Sequence, residues 1–223
     1  MKRIIVVSAH PDDEILGAGG TLIKHKKNND IIAWIIATEI NNEMGFSKSK
    51  INSREKEIEE VKSKLGISEV YKFNYPATTL SSSSANELIP KISKIFKEFK
   101  PEILYMVNRS DVHSDHRHLF NAVFACTKSF RYNFIKKVLM YECISETEFA
   151  PALHENIFIP NYFVDISDYI DEKIKLIKIY KSELGSHPFP RSVENIKALA
   201  KYRGAMAGVN YAEAFSVLKI IKK

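Results

Sequence analysis

Two hydrophobic rhythms alternate along the first two thirds of the chain. Unbroken apolar runs stand at Ile4-Ile5-Val6-Val7, Ile31–Ala37 and Ile103–Val107, and Ile31–Ala37 is β-branched and nearly all apolar, as a parallel strand covered on both faces should be. They predict strands over Arg3–Ser8, Ile31–Ala37 and Ile103–Val107, with a shorter one at Val70–Phe73. Between them apolar residues recur three and four positions apart. This spacing predicts helices at about Ile15–Lys27, stopped by Asn28-Asn29-Asp30, and at Ser53–Leu65, with Ile58, Val61 and Leu65 on one face and Gly66 behind them. It also predicts Asn86–Phe99, with Leu88, Ile92, Ile95 and Phe99 in line, and a helix from about Leu119 to Ser129. Polar stretches at Glu39–Ser49, Asn74–Ser84 and Asn108–His116 read as loops. The last third is less regular, with strands at Val138–Glu142 and Phe163–Ile166 and helices at Asp168–Lys181 and Val193–Ala207, followed by Tyr211–Phe215. Strands alternating with helices predict an α/β fold, a Rossmann-like doubly wound and mostly parallel sheet with helices on both faces.

Length and composition narrow this picture. The 223 residues, 45% of them hydrophobic, suffice for one domain over residues 1–223 with a good-sized core. No Pro/Gly/Ser-rich linker divides the chain, and Ser81-Ser82-Ser83-Ser84 is a short surface loop. Met1-Lys2-Arg3 resembles the start of a signal peptide, but the apolar run behind it ends at Val7, too short for a signal core. No apolar stretch reaches the roughly 20 residues that span a bilayer, so the expectation is a cytoplasmic protein without a membrane span. Cys126 and Cys143 are too few for a disulfide framework and read as free buried thiols. The net charge of +6 leans towards an anionic substrate. Its lysines, such as Lys91, Lys94, Lys97 and Lys100, are scattered over helix faces without a basic–aromatic interleave, which argues against nucleic acid.

The chemistry is concentrated in two places. Ala9-His10-Pro11-Asp12-Asp13-Glu14 directly follows the first strand, and His113-Ser114-Asp115-His116 follows the fourth. Acidic groups this close repel one another unless a cation or a shared proton holds them. In a doubly wound sheet both loops emerge at the carboxyl ends of the strands, so they can converge on one pocket. A catalytic Zn²⁺ takes three ligands from His and carboxylate and leaves a position for water. His10 and Asp13 are spaced for a turn that enters a helix, and His116 supplies a third ligand. Asp12 would then act as general base, and His113 could steady an oxyanion or protonate a leaving amine. Asp115 could fix the tautomer of a neighbouring histidine. A His₂Asp set also accepts Fe²⁺ or another divalent ion. Glu14 reads as a helix N-terminal charge; His25, His118, His154 and His187 lack acidic neighbours at ligand spacing or read as surface. Gly17-Ala18-Gly19-Gly20 departs from the dinucleotide spacing, and the two aspartates before it would repel a pyrophosphate, so these glycines are expected to permit close helix–sheet packing.

These motifs make the chain resemble the LmbE-like, PIG-L-type N-acetylglucosaminyl deacetylases. The resemblance rests on Ala9–Glu14 with Gly17-x-Gly19-Gly20-Thr21 and on His113-Ser114-Asp115-His116-Arg117. Softer support comes from Arg54-Glu55, Leu65-Gly66, Tyr202-Arg203-Gly204 and Tyr211–Phe215. It implies a zinc-dependent hydrolase that removes acetyl from an N-acetylated amino sugar. Carried over, His10, Asp13 and His116 match the metal ligands and Asp12 the general base. His113, with Asp115 as its partner, matches the residue acting on the oxyanion or the amine. Arg54 matches an arginine that holds the sugar or its attached group. Arg109, in the loop leading to the second cluster, could meet a phosphate or be a plain surface charge. Residues from about 1 to 142 would form the Rossmann-like core, and those from about 143 to 223 a part that shapes substrate choice. The expected partner is a small amino sugar, free, nucleotide-linked or otherwise conjugated, and a homo-oligomer is left open. The competing reading is a Rossmann-type nucleotide-binding or transferase domain without amide hydrolysis.

Overall fold

The computed structural model describes residues 1–222; Lys223, the end of the expected domain, lies outside them. Seven strands form one sheet: β1 (Arg3–Ser8), β2 (Ile31–Glu39), β3 (Ile67–Pro76), β4 (Ile103–Met106), β5 (Lys137–Tyr141), β6 (Tyr162–Asp165) and β7 (Ala212–Ile220). Their order is β3-β2-β1-β4-β5-β7-β6. The first five are parallel, while β7 runs antiparallel between β5 and β6. This is the α/β doubly wound sheet that the alternation predicted.

Six helices connect them: α1 (Asp13–Lys27), α2 (Lys48–Leu65), α3 (Ala85–Phe99), α4 (Ser114–Ala125), α5 (Ile170–Ile177) and α6 (Val193–Ala207). The chain steps outwards from β1 through β2 to β3, then returns to β4 on the other side of β1. Right-handed crossovers therefore lay α1 and α2 on one face and α3 and α4 on the other. The packing agrees, with α1 against α2 and α5, and α3 against α4. Because the strand order runs one way from β1 and the other way from β4, the loops after these two strands diverge and leave a crevice at the switch point. Those loops carry the two polar clusters.

The core fills as its sequence pattern requires. Ile4, Ile5, Val6 and Val7, and Ile32 to Ala37, are essentially inaccessible, as strands covered on both faces should be. The glycines of α1 serve packing. A Cβ on Gly17 would lie 2.2 Å from the Tyr141 ring of β5, and one on Gly20 would lie 2.7 Å from Ile166. That is the close helix–sheet approach expected of them.

Boundaries moved where capping was missed. Helix α2 begins at Lys48 because Ser47 caps it by accepting from Lys50 N–H, five residues before the expected Ser53. Helix α4 begins at Ser114 rather than about Leu119 because His113 caps it through Nδ1. Helix α5 is shorter than expected, ending at Ile177 instead of Lys181. Strand β7 runs on from Tyr211–Phe215 to Ile220. Glu213 on β7 forms a buried pair with Lys173 of α5 at 2.7 Å and accepts from Gly20 and Thr21 N–H at 2.8 and 2.7 Å. Arg203 of α6 pairs with Glu142 at the end of β5. No helix among the described residues is long and apolar enough to cross a membrane.

Candidate active site

The turn between β1 and α1 is built around its own carboxylates. Asp13 Oδ2 accepts from the N–H groups of Ala9 and His10, both at 2.9 Å, which winds the chain sharply into α1. Asp12 takes φ 136°, ψ −30°, a conformation that costs a non-glycine residue about 1–3 kcal/mol. Its N–H donates to Glu14 Oε2 at 3.0 Å, and its carbonyl accepts from Ile15 and Leu16. Glu14 is fully buried and accepts the Tyr180 hydroxyl at 2.9 Å. Burial pushes its carboxyl up to about 8. Instead of the N-terminal charge expected of it, Glu14 is a buried, uncharged acid at neutral pH that turns back beneath the turn and holds Asp12 in place.

The second cluster arrives on α4. His113 Nδ1 accepts from Asp115 N–H at 3.1 Å, which puts the ring proton on Nε2. Starting the helix at Ser114 sets Asp115 and His116 in its first turn, both wholly buried. The rings of His10, His113 and His116 then gather, with centroids 4.4, 5.4 and 5.7 Å apart.

His10, Asp13 and His116 bring one ligand atom each within 4.8 Å of one another. His116 Nε2 lies 3.3 Å from Asp13 Oδ2, and His10 Nδ1 lies 4.0 Å from the same oxygen. Two ligands of a tetrahedral Zn²⁺, each at about 2.0–2.1 Å, are spaced roughly 3.3–3.4 Å apart, so the His116–Asp13 pair already has the spacing such an ion needs, while His10 stands wider. The far nitrogens of both histidines are held by carboxylates. His116 Nδ1 meets Asp111 Oδ2 at 2.8 Å, and His10 Nε2 meets Asp115 Oδ2 at 3.0 Å. This backing is usual for metal-bound imidazole and leaves the other nitrogen of each ring as a lone-pair donor. His116 Nε2 is buried without a hydrogen-bond partner. An orphaned buried acceptor aimed at a carboxylate is what a cation site looks like without its ion.

The electrostatics favour positive charge at this place, which a proton on His116 supplies when no ion is bound. Burial opposes charge on His116, but Asp13 and Asp111 outweigh it and hold its basicity well above the usual range. Burial likewise opposes the Asp13 charge, and His116 and His10 outweigh it, so its carboxyl stays well below normal. Asp12 is pushed well up by burial and by Asp13 and Glu183, with Arg191 opposing. Burial and the neighbouring His10 and His116 lower His113 to about 4, so at neutral pH it is an uncharged Nε2–H donor.

His10, Asp12, Asp13 and His113 line a cavity of about 440 Å³ with Thr38, Glu39, Ile40, Phe46, Lys50, Arg54, Glu146 and Arg191. Of the residues singled out from the sequence, His10, Asp12, Asp13, His113 and Arg54 reach its wall. Buried His116 lies against Asp13, and Asp115 lies behind His10. The Asp115 carboxylate is 3.9 Å from His113 Nδ1; its hydrogen bonds go to His10 and to the N–H groups of Thr78 and Leu80. Arg54 is heavily engaged, donating to Pro11 O at 2.9 Å and to Ser182 and Glu183, with Glu57 beside it. Arg109 is exposed, donates to Glu155 O and does not line this cavity.

Three residues were missed by sequence reasoning. Asp111 lies inside the polar segment Asn108–His116, and its five-residue spacing from His116 was an available signal. Arg191 approaches Asp12 Oδ2 at 3.9 Å, and Glu183 joins Arg191 to Arg54. No local pattern could have placed these two, because they come from the irregular segment between α5 and α6.

Comparison with known proteins agrees with this geometry. Residues 5–127 match the family PIG-L, described as GlcNAc-PI de-N-acetylase. The diacetylchitobiose deacetylase of Thermococcus kodakarensis is 25% identical over 96% of this chain and 82% of its own. A probable N-acetyl-alpha-D-glucosaminyl L-malate deacetylase 2 of Bacillus anthracis is 24% identical over 83% of each chain. The solved structure of the conserved protein TT1542 from Thermus thermophilus superposes with a TM-score of 0.77 at 27% identity, covering 100% of this chain and 97% of that one. The match takes in both polar clusters and more than half of the sequence, and the chain therefore belongs to the PIG-L family of de-N-acetylases.

Proposed function

We propose that this protein is a divalent-metal-dependent hydrolase, with Zn²⁺ as the expected ion, that removes acetyl from an N-acetylated amino sugar. The observation that carries the reading is the unpartnered His116 Nε2, facing Asp13 Oδ2 and His10 Nδ1 beside a cavity that also presents Asp12. When bound, the cation supplies the Lewis acidity that brings the pKa of water to about 7 and polarises the amide carbonyl.

The chain's own groups do the rest. Asp12 takes the proton of the attacking water, and the basicity conferred by burial and by Asp13 suits it to that task. Arg191, 3.9 Å away, limits the rise and orients the carboxylate. His113 donates from Nε2 to the carbonyl oxygen as negative charge develops there. Asp12 then returns the proton to the amine nitrogen as the C–N bond breaks, and acetate and the free amino sugar leave. Asp115 acts by fixing the His10 ring and by anchoring the loop at Thr78 and Leu80.

The cavity suits a neutral N-acetylglucosamine-type sugar better than the basic composition suggested. Two of the three cations on its wall, Arg54 and Arg191, are engaged by Glu183, leaving Lys50 to meet an anionic conjugate. Acetate release from N,N'-diacetylchitobiose, N-acetylglucosamine, N-acetylglucosaminyl malate and a nucleotide-linked N-acetyl sugar, each with the Zn²⁺-loaded enzyme, tests this reading. Release from a neutral sugar, together with loss of bound zinc in His116→Ala, is expected. Tight nucleotide binding with no acetate from any substrate would replace the reading with a Rossmann-type binding domain.

A further inference from the structure

Behind the candidate ligands runs a hydrogen-bond circuit made partly of residues outside every motif. The turn after β5 closes on itself, with Glu146 and Thr147 N–H donating to Cys143 O at 3.0 and 2.9 Å. From this turn Cys143 Sγ reaches Asp13 Oδ1 at 3.4 Å. Cys143 N–H donates to Thr147 Oγ1 at 2.8 Å, and Thr147 Oγ1 lies 2.7 Å from Asp111 Oδ1. Because the threonine oxygen already accepts a proton from Cys143, its single proton goes to Asp111. Asp111 Oδ1 also accepts from Asn108 at 2.8 Å, and its other oxygen holds His116 Nδ1 at 2.8 Å. The turn is tied to the Asp111 loop once more through Val112 N–H to Glu146 O at 3.1 Å. One short turn therefore touches Asp13 directly and reaches His116 through Asp111. These are the two buried candidate ligands, and they come from different loops 103 positions apart in sequence.

The geometry points to Cys143 and Thr147 as positioning residues of the metal centre. The inference rests on the His10–Asp13–His116 ligand set proposed above. The thiol S–H donates to Asp13 Oδ1 while the N–H groups of Ala9 and His10 donate to Oδ2, and together they fix the carboxylate with Oδ2 facing both histidines. The threonine hydroxyl holds Asp111 where it keeps the His116 proton on Nδ1, leaving Nε2 as the donor. Outer partners of this kind set the orientation and basicity of the ligands, and losing one typically weakens metal binding about 10–100-fold. Neither residue is itself a ligand: both touch the oxygen of a carboxylate that faces away from the histidines.

The test uses the full chain and reads metal binding, not turnover. Zn²⁺ affinity is measured by competition with a chelator for the parent, Cys143→Ala, Cys143→Ser, Thr147→Val and the Cys143→Ala/Thr147→Val pair. Visible spectra of the Co²⁺ forms report ligand geometry. Cys143→Ala and Thr147→Val are each expected to bind Zn²⁺ about 10–100-fold more weakly and to alter the Co²⁺ spectrum. Cys143→Ser, which keeps a donor, is expected to stay near the parent. The double variant should lose less than the product of the singles, because both act through one circuit. Affinities within about twofold of the parent in both single variants, with unchanged spectra, overturn the inference. So does a lowered urea midpoint of the metal-free protein with no change in affinity, which marks a merely structural role. Thr147→Val is nearly isosteric and Cys143→Ser conservative, so a failure of Cys143→Ala to fold leaves both arms readable: Cys143→Ser then keeps, and Thr147→Val lowers, the affinity if the inference holds. A parent that binds no Zn²⁺, or a His116→Ala variant that binds as the parent does, is a different result. It removes the ligand set and the inference with it.

Discussion

Helix α1 meets two buried polar clusters, one at its first residue and one at its middle, and they differ in how completely they are satisfied. At the middle, Lys173 and Glu213 pair at 2.7 Å, and both charges are met, with only the neutral Thr21 hydroxyl beside them left without a partner. The ammonium also donates to Leu16 O, and the carboxylate also accepts from Gly20 and Thr21 N–H. At the N-terminus, Asp12, Asp13 and Glu14 crowd three carboxylates into consecutive positions, and His116 Nε2 is left without a partner. The Lys173–Glu213 cluster is balanced in charge as folded and ties α1 to α5 and β7. The N-terminal cluster keeps one buried nitrogen unmatched, the place the proposed cation would fill. Buried polar groups without partners are costly, so a fold retains them where something else binds.

Four perturbations test this contrast. The largest effect is expected from Asp12→Ala, which removes the proposed general base and leaves the proposed ligand set whole. Turnover should fall about 10²–10⁴-fold while zinc content by elemental analysis stays full. Near-normal acetate release would return Asp12 to a purely structural role. Next comes Glu213→Ala, which strands the Lys173 ammonium in the core. It should cost about 3–5 kcal/mol in urea unfolding, with zinc affinity unchanged in the molecules that remain folded. A drop in zinc affinity equal to that of a ligand variant would show that the two clusters are not independent.

The third perturbation is pH. In the metal-free protein Glu14 titrates near 8 against an ordinary value of 4.5. Across that window the folded chain keeps a proton that the unfolded chain has lost, so stability falls as pH rises, by at most about 1.4 kcal/mol per unit. Glu14→Gln is expected to flatten that fall when urea midpoints are compared at about pH 5 and about pH 8. Parallel slopes for the two proteins would show that the burial of Glu14 is offset elsewhere. The smallest effect is expected from Asp111→Asn, which keeps the shape but weakens the backing of His116. Zinc affinity should drop about 10–100-fold in a chelator titration, with secondary structure by circular dichroism intact. An unchanged affinity would detach Asp111 from the metal centre.

Much of this molecule can be read along the chain. The apolar runs at Ile4–Val7 and Ile31–Ala37 are strands, as is Ile103–Met106, because a strand covered on both faces leaves no polar position to break the run. The glycines of α1 pack as expected because only a bare Cα admits the Tyr141 ring and Ile166. The convergence of Ala9–Asp13 with His113–His116 followed from topology, since both lie after neighbouring strands at the switch point. The errors cluster at caps: Ser47 and His113 each start a helix about five residues before its hydrophobic periodicity begins. Such starts are set by one side-chain hydrogen bond, which periodicity does not register.

The composition of the centre, by contrast, depends on contacts between residues far apart. His10, Asp12, Asp13, His113 and His116 were marked by type and spacing, because chemistry of this kind needs those groups in nearly those places. That Asp115 holds His10, that Arg54 is taken up by Glu183, that Arg109 lies away from the cavity, and that Arg191, Asp111, Thr147 and Cys143 surround the site are facts of three-dimensional assembly. Local periodicity records which face of an element is buried. It holds no record of which side chain from another loop will meet a given oxygen, because that is set by how the sheet's order and the crossing helices bring distant loops together.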